Sequence, residues 1–158
     1  MPQVQAAVVV PVSPDVAFAV SQTTGRLRLR WDPFIRRQHL MDGATAPGKG
    51  VRTFTRSRHG LGMVSEYVSY APPRNVGMTM RRGPWFFETF GGGWRFEPVA
   101  GGTRAVWKYT FRVRPAWLRP VAEPLGTAVL GRDIERRIQA FARACTDPVI
   151  VAAATLTE

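Results

Sequence analysis

The sequence has few of the residues from which covalent and metal-dependent sites are built. Among its 158 residues there is one cysteine, Cys145, and there are two histidines, His39 and His59. A single cysteine cannot form an internal disulfide, and the usual zinc-site spacings are absent. The chain also lacks a P-loop and the Gly-x-Ser-x-Gly motif of serine hydrolases. We therefore expect neither a metal ion nor a cofactor, and we expect Cys145 to be a packed thiol.

Long apolar runs are also missing. No stretch approaches the roughly 20 residues that a transmembrane helix needs. The first segment, MPQVQAAVVVPVSPD, has no cationic region before its short apolar run, which argues against a secretory signal. We therefore expect a cytoplasmic protein without a transmembrane segment.

Acidic residues are scarce relative to basic ones. Asp and Glu total 11 against 22 Lys and Arg, which gives a formal net charge of +11. Such a charge would attract an anionic partner, for example nucleic acid or an anionic membrane. The arginines are spread along the chain, however, which favours an ordinary solvated surface. Docking on RNA, the ribosome or an anionic membrane is therefore a second hypothesis.

The distribution of glycine and proline predicts a single α+β domain. With 45% hydrophobic residues, the chain can bury one sizeable core. Turn signals separate a series of strand-like segments, which favours an antiparallel meander. These segments lie at residues 3–12, 34–41, 51–58, 63–70, 76–82, 85–97 and 104–114. We expect the domain to span residues 1–146 and a tail to occupy residues 147–158.

Two helical regions complete this prediction. Ser13 has the position of an N-cap, with Pro14 in the first turn of a short helix that ends near Gly25. Residues 26–31 alternate like a strand, although a second short helix would also fit there. Residues 117–145 carry apolar side chains at three- and four-residue steps, which predicts a long helix with one apolar face. The apolar positions are Val121, Leu125, Leu130, Ile134, Ile138, Phe141 and Cys145.

This order of elements resembles the START-like helix-grip superfamily (SRPBCC), as do the WDPF motif at Trp31 to Phe34, the late tryptophan-rich strands and the terminal helix. The resemblance covers about residues 4–145 and is closest to bacterial polyketide cyclase/dehydrase-like proteins. It implies a helix-grip fold: a curved antiparallel sheet of about seven strands wrapped around a long C-terminal helix, with one or two short helices after the first strand. It also implies an internal cavity for an apolar or aromatic ligand.

Strand alternation nominates the reactive groups of such a cavity. If the apolar face of the strand at 104–114 points inward, Tyr109 carries a hydroxyl that can orient or protonate a ligand oxygen. Glu88 and Glu66 share strand faces with apolar residues, and burial there would raise their pKa values. The predicted catalytic residues are therefore Tyr109, Glu88 and Glu66. The alternative for both glutamates is an exposed ion pair with arginine.

The ligand-binding prediction follows from the same strand faces. Arg82 shares a face with Met78 and Met80 and could bind a ligand carboxylate, or it could lie exposed at a strand end. A bulge or bend is expected at Gly91 to Gly93, and it would invert the alternation. The predicted ligand-binding residues are Trp107, Phe111, Phe86, Phe90, Trp94, Met78, Met80 and Arg82.

The primary hypothesis is a protein that holds a hydrophobic small molecule, aromatic or polyketide- or lipid-like, in an internal cavity. Two versions are compatible with the sequence: a cyclase- or aromatase-like enzyme that folds a reactive chain, and a carrier. A third class, a structural or regulatory partner, predicts a packed interior without a cavity. A homodimer through an exposed edge is compatible with the sequence, which has no marker for one.

Overall fold

The sheet organises the molecule. A computed structural model, which describes residues 1–156, contains one seven-stranded antiparallel sheet in the order β1-β7-β6-β5-β4-β3-β2. Because β1 pairs with the last strand, the two ends of the strand sequence lie side by side. The strands are β1 (Gln3–Val10), β2 (Ile35–Leu40), β3 (Arg52–Ser57), β4 (Gly62–Ala71), β5 (Asn75–Arg82), β6 (Phe87–Val99) and β7 (Gly102–Val113).

Short helices follow β1, and the long helix follows β7. The helices are α1 (Pro14–Ser21), α2 (Gly25–Leu29), α3 (Arg119–Ala144) and α4 (Pro148–Leu156), with a 3₁₀ turn at Ala116–Leu118 before α3. The Ser13 side chain accepts a hydrogen bond from the Val16 N–H at 3.4 Å, as expected of an N-cap. Residues 26–31, which alternate like a strand in the sequence, mostly belong to α2. The sheet and the order of its helices confirm the predicted helix-grip architecture.

The tail of the chain is helical and packs on the domain. Ile150 and Ala154 of α4 are buried, and the helix lies against α1. The last two residues of the predicted tail, 157 and 158, lie outside the described part of the chain.

The core lies between β7 and the second half of α3. Along β7, Trp107, Tyr109 and Phe111 are buried, as the alternation predicts. Ile134 and Ile138 of α3 are fully buried. Burying a large apolar side chain contributes about 1.5–3 kcal/mol, so this contact is a major source of stability.

The first half of α3 departs from the predicted apolar face. Val121 and Leu125 are 71% and 64% exposed, whereas Ile134 and Ile138 are completely buried. The reason is tertiary: this half of the helix borders the cavity, and Leu125 and Val129 belong to its lining, where the sheet leaves them largely uncovered.

The glycine run is not a bulge. Gly91 to Gly93 pair in regular register with both β5 and β7, and Gly92 lies opposite Met78 on one side and Tyr109 on the other. A Cβ atom on Gly93 would lie 2.5 Å from a backbone oxygen of β5, so glycine permits close strand approach here. The irregularity in β6 instead falls between Phe87 and Thr89. That shift alters which side chains of β6 point inward.

Candidate functional site

A cavity of about 610 Å³ lies between the sheet and α3. This volume is within the range of small-molecule sites, roughly 300–1,000 Å³. The side of the cavity formed by β5 to β7 is apolar and largely aromatic. It consists of Met78, Met80, Phe86, Phe87, Phe90, Trp94, Trp107, Tyr109 and Phe111. The aromatic rings among these side chains favour a planar apolar ligand, because ring faces pack well against one another.

The opposite side of the cavity is mixed: beside Ile35, Met63 and Tyr67 it carries several polar side chains. Strands β2 to β4 contribute Gln38, Thr53, Thr55, Ser57 and Ser65. Gln38 lies opposite Thr55 in the β2–β3 pair, so an amide and a hydroxyl are neighbours on the inner face. The cavity therefore has one wall suited to an apolar ring system and another suited to polar substituents.

A buried charge cluster adjoins the cavity and joins α2, the segment between α2 and β2, and α3. Arg137 donates two hydrogen bonds to the Asp32 carboxylate, from Nε to Oδ1 at 3.0 Å and from Nη2 to Oδ2 at 2.7 Å. Arg28 Nε donates to Asp32 Oδ2 at 2.9 Å. All three side chains are buried. Asp32 thus holds two arginines inside the protein, where an unpaired charge would be strongly unfavourable.

The cluster is electrostatically coupled. Burial alone would raise the pKa of Asp32, but the charges of Arg137 and Arg28 outweigh it and lower the pKa to about 2. Burial would lower the pKa of Arg137, but Asp32 outweighs this effect and raises it. In Arg28, burial prevails and lowers the pKa. Asp32 is therefore a carboxylate at neutral pH.

Tyr109 connects this cluster to the cavity. Its hydroxyl oxygen accepts a hydrogen bond from Arg137 Nη1. The Arg137 guanidinium also lies 4.2 Å from the centre of the Trp107 ring, a cation–π distance. Burial raises the pKa of Tyr109 to about 12, although the Arg137 charge opposes the shift. The Tyr109 hydroxyl is therefore protonated at neutral pH and can donate to a ligand.

Asp133 is a second acidic group of the cavity wall. It lies on α3 one turn before Arg137, and its Oδ2 atom is buried without a hydrogen-bond partner among residues 1–156. Burial raises the pKa of this carboxyl group, and the charge of Arg137 opposes the shift.

The structure brings most of the predicted site residues together. The following line the cavity: Tyr109, Trp107, Phe111, Phe86, Phe90, Trp94, Met78 and Met80. Glu66, Glu88 and Arg82 do not. For the eight residues that line the cavity, a role in catalysis or binding stays a prediction. For Glu66, Glu88 and Arg82, which lie outside it, the structure gives no basis for such a role.

The predicted placement of Glu66 in an apolar cleft is corrected. Its inward neighbours on β4 are Ser65 and Tyr67, and its own side chain points outward to Arg52 and Arg81, at 3.2 Å and 3.0 Å. Hydrogen bonds from Arg81 and Arg52 lower the pKa of Glu66. Glu66 therefore follows the alternative prediction, an ion pair with arginine on the outer face of the sheet.

The placements of Glu88 and Arg82 are corrected for a related reason. Register shifts lie beside both residues, between Phe87 and Thr89 in β6 and between Val64 and Ser65 in β4. Simple alternation therefore does not continue through either position. Glu88 is exposed and binds Arg119 at 2.7 Å, and Arg82 is exposed at the end of β5.

The charge cluster was not predicted from the sequence, although Arg137 carries one signal for it. Arg137 lies three residues after Ile134 and four before Phe141, so helical spacing places it on the buried face of α3. An arginine on an apolar face predicts a buried acidic partner. The partner, Asp32, is 105 residues away in sequence, and no local pattern identifies it.

Comparison with protein families assigns the chain. A family model described as polyketide cyclase / dehydrase and lipid transport matches residues 1–146. The chain belongs to this family. This match confirms the superfamily resemblance seen in the sequence. The fold of this family is a hydrophobic ligand-binding fold. Among curated proteins, none matches this sequence.

Solved structures of low sequence identity show the same fold. A protein from Thermus thermophilus is 16% identical with a TM-score of 0.75, covering 98% of this chain and 99% of that one. A START superfamily protein from Mycobacterium smegmatis is 13% identical, also at 0.75, with coverages of 91% and 97%. The di-domain aromatase/cyclase StfQ of the steffimycin biosynthetic pathway is 14% identical at 0.70, covering 89% of this chain and 50% of StfQ.

Within residues 1–156, no helix combines the length and the apolar character needed to cross a membrane.

Proposed function

We propose that the cavity binds a flat hydrophobic molecule that carries a carbonyl or hydroxyl oxygen, and that Tyr109 donates a hydrogen bond to that oxygen. The observation that carries the proposal is the aromatic wall of a cavity of about 610 Å³, into which the Tyr109 hydroxyl is set. The hydroxyl of Tyr67, the other tyrosine of the lining, already donates to Gln22. A hydrocarbon chain would fill such a cavity equally well by volume. Planar rings, however, gain the additional stacking contacts that aromatic side chains offer.

The role of Tyr109 follows from its hydrogen bonds. Its oxygen accepts from Arg137, and among residues 1–156 its own O–H has no acceptor. That proton is available to a ligand oxygen within the cavity. Since Arg137 polarises the hydroxyl, the pair would also stabilise negative charge that develops on a bound carbonyl oxygen.

This arrangement supports a cyclase-like reaction as the enzymatic form of the function. Closing a ring in a flexible chain depends mainly on holding the reacting carbons together, which the cavity walls would do. If the ligand reacts through its own enol, the new carbon–carbon bond forms as the carbonyl π bond breaks, and the enol proton passes to the resulting alkoxide oxygen. The Tyr109 hydroxyl would stabilise the negative charge that develops on that oxygen. The family relationship and the aromatase/cyclase StfQ among the structural neighbours support this proposal.

Docking on nucleic acid or another anionic surface, homodimer formation and a cytoplasmic location stay predictions. Three outward glutamates, Glu66, Glu88 and Glu97, already form ion pairs with arginines. The ligand cavity is therefore the better-supported basis for function.

Native mass spectrometry of the purified protein tests the proposal. We expect a bound apolar molecule in the wild type and its absence from Ser65→Trp, which places an indole in the cavity. Ser69→Trp is the matched control, because Ser69 is an exposed residue of the same strand. Binding of an added naphthalene probe should follow the same pattern. Failure of the wild type to bind naphthalene, or equal binding by Ser65→Trp, would contradict the proposal.

A further inference from the structure

Two buried acceptor atoms of the described residues lack a hydrogen-bond partner, and both belong to the cavity wall. They are Asp133 Oδ2 and Gln38 Oε1. Buried polar atoms are almost always hydrogen-bonded, because leaving one unpaired is costly. Two exceptions in one cavity therefore identify the place where a bound molecule would supply the missing donors.

The nearby cation does not satisfy Asp133. Arg137 is one helical turn away, but three of its N–H groups already bind Asp32 and Tyr109. Within residues 1–156, Asp133 forms no ion pair, whereas Asp32 forms two. The Asp133 carboxylate therefore keeps its acceptor capacity for a ligand.

The charge balance of the cluster defines the ligand class. Among the buried groups, Arg28 and Arg137 contribute two positive charges, and Asp32 and Asp133 contribute two negative charges when both are ionised. Arg136 and His59 also act on Asp133, but both are exposed, so solvent screens their charges. A neutral donor leaves this balance intact. A carboxylate ligand would add an uncompensated negative charge beside Asp133, which is unfavourable in a poorly solvated site.

We propose that Asp133 accepts a hydrogen bond from a neutral O–H or N–H group of the ligand and that the Gln38 amide binds a second polar substituent. This inference rests on the proposed function and specifies its ligand. The ligand is a neutral aromatic molecule that donates a hydrogen bond, such as a phenol. A free carboxylic acid and a bare hydrocarbon do not meet this description. Asp133 is then a specificity-determining residue on α3, opposite the polar wall of β2 to β4.

Calorimetric titration with three probes of similar size tests this assignment: 2-naphthol, naphthalene and 2-naphthoate. We expect the wild type to bind 2-naphthol about ten-fold more tightly than naphthalene, in line with a hydrogen bond to a charged group. It should bind 2-naphthoate least tightly. Asp133→Leu, which has no acceptor, should keep only the part of this preference that the Tyr109 hydroxyl provides, and Asp133→Leu combined with Tyr109→Phe should bind 2-naphthol and naphthalene equally. Asp133→Asn, which keeps an acceptor but no charge, should be intermediate and should bind 2-naphthoate better than the wild type does.

Glu135→Gln is the matched control, because it removes the same charge from an exposed position of the same helix. It should retain the wild-type preference. A 2-naphthol preference that is undiminished in Asp133→Leu, or a wild type that prefers 2-naphthoate, would overturn the inference. Circular dichroism checks folding, and Asp133→Ala replaces any variant that does not fold.

Naphthalene separates this inference from the proposed function on which it depends. If naphthalene binds to the wild type and is excluded by Ser65→Trp, but 2-naphthol is not preferred, only the role of Asp133 is wrong. If naphthalene does not bind to the wild type, the ligand cavity itself is contradicted and the inference is lost with it.

Discussion

Arg137 and Asp32, 105 residues apart in sequence, meet through two parallel hydrogen bonds of 3.0 Å and 2.7 Å. The contact fixes α3 to the short segment between α2 and β2. Arg137 also binds Tyr109, so the same contact holds the phenol that faces the cavity. The orientation of the proposed ligand-binding group thus depends on a buried ion pair.

Replacing Asp32 should destabilise the fold. Asp32→Asn removes the charge that compensates Arg28 and Arg137, and breaking a buried pair in this way typically costs about 3–5 kcal/mol. Urea unfolding followed by circular dichroism measures the loss. Asp42→Asn, at an exposed turn, should change stability by less than about 0.5 kcal/mol. A similar small change in both variants would show that the cluster does not stabilise the protein.

The same carboxylate predicts a pH dependence of stability. The pKa of Asp32 falls from its ordinary value of 3.8 to about 2 on folding. Between these values the unfolded chain binds more protons, so the contribution is complete above about pH 4 and is lost as pH falls toward 2. Its size is about 2 kcal/mol, from roughly 1.4 kcal/mol per pKa unit. Unfolding free energies measured from pH 5 to pH 2 should decline less steeply in Asp32→Asn than in the wild type. Parallel curves would refute this assignment.

Tyr109→Phe should weaken ligands that carry an acceptor oxygen and leave hydrocarbons unaffected. The variant removes one hydroxyl, and a hydrogen bond of this kind contributes about 0.5–1.5 kcal/mol. Titration with 2-acetonaphthone and 2-ethylnaphthalene measures the difference. We expect the ketone to lose about three- to ten-fold in affinity and the hydrocarbon to be unchanged. An equal loss for both probes would indicate that Tyr109 only maintains the cavity.

The outward glutamates should be dispensable for binding. Glu66→Gln and Glu88→Gln alter exposed ion pairs that lie outside the cavity. We therefore expect the affinity for naphthalene and 2-acetonaphthone to stay within two-fold of the wild-type value. A larger loss in either variant would restore the original hypothesis that these carboxylates act in the site.

Cys145 should be unreactive in the folded protein. The thiol is buried, and burial raises its pKa to about 12, so little of the reactive thiolate is present at neutral pH. Ellman's reagent at pH 8 should modify Cys145 only at the rate of unfolding, and rapidly in urea. Fast modification of the native protein would contradict this burial.

The sequence by itself determined the order of elements, the inner face of β7 and the aromatic character of the cavity. These features depend on local periodicity: two residues in a strand and 3.6 in a helix. The inward positions of Trp107, Tyr109 and Phe111 follow from an uninterrupted alternation. Pro14 and Ser13 likewise marked the start of α1 through interactions within one turn.

Only the tertiary structure decided which polar groups belong to the site. Register shifts beside Glu88 and Arg82 turn these side chains away from the cavity, and such shifts depend on pairing with a neighbouring strand. The burial of Asp32 depends on Arg137, which the chain brings to it from another element. Local patterns specify what each element is, but charges are buried only where distant partners compensate them, and the fold alone creates those partnerships.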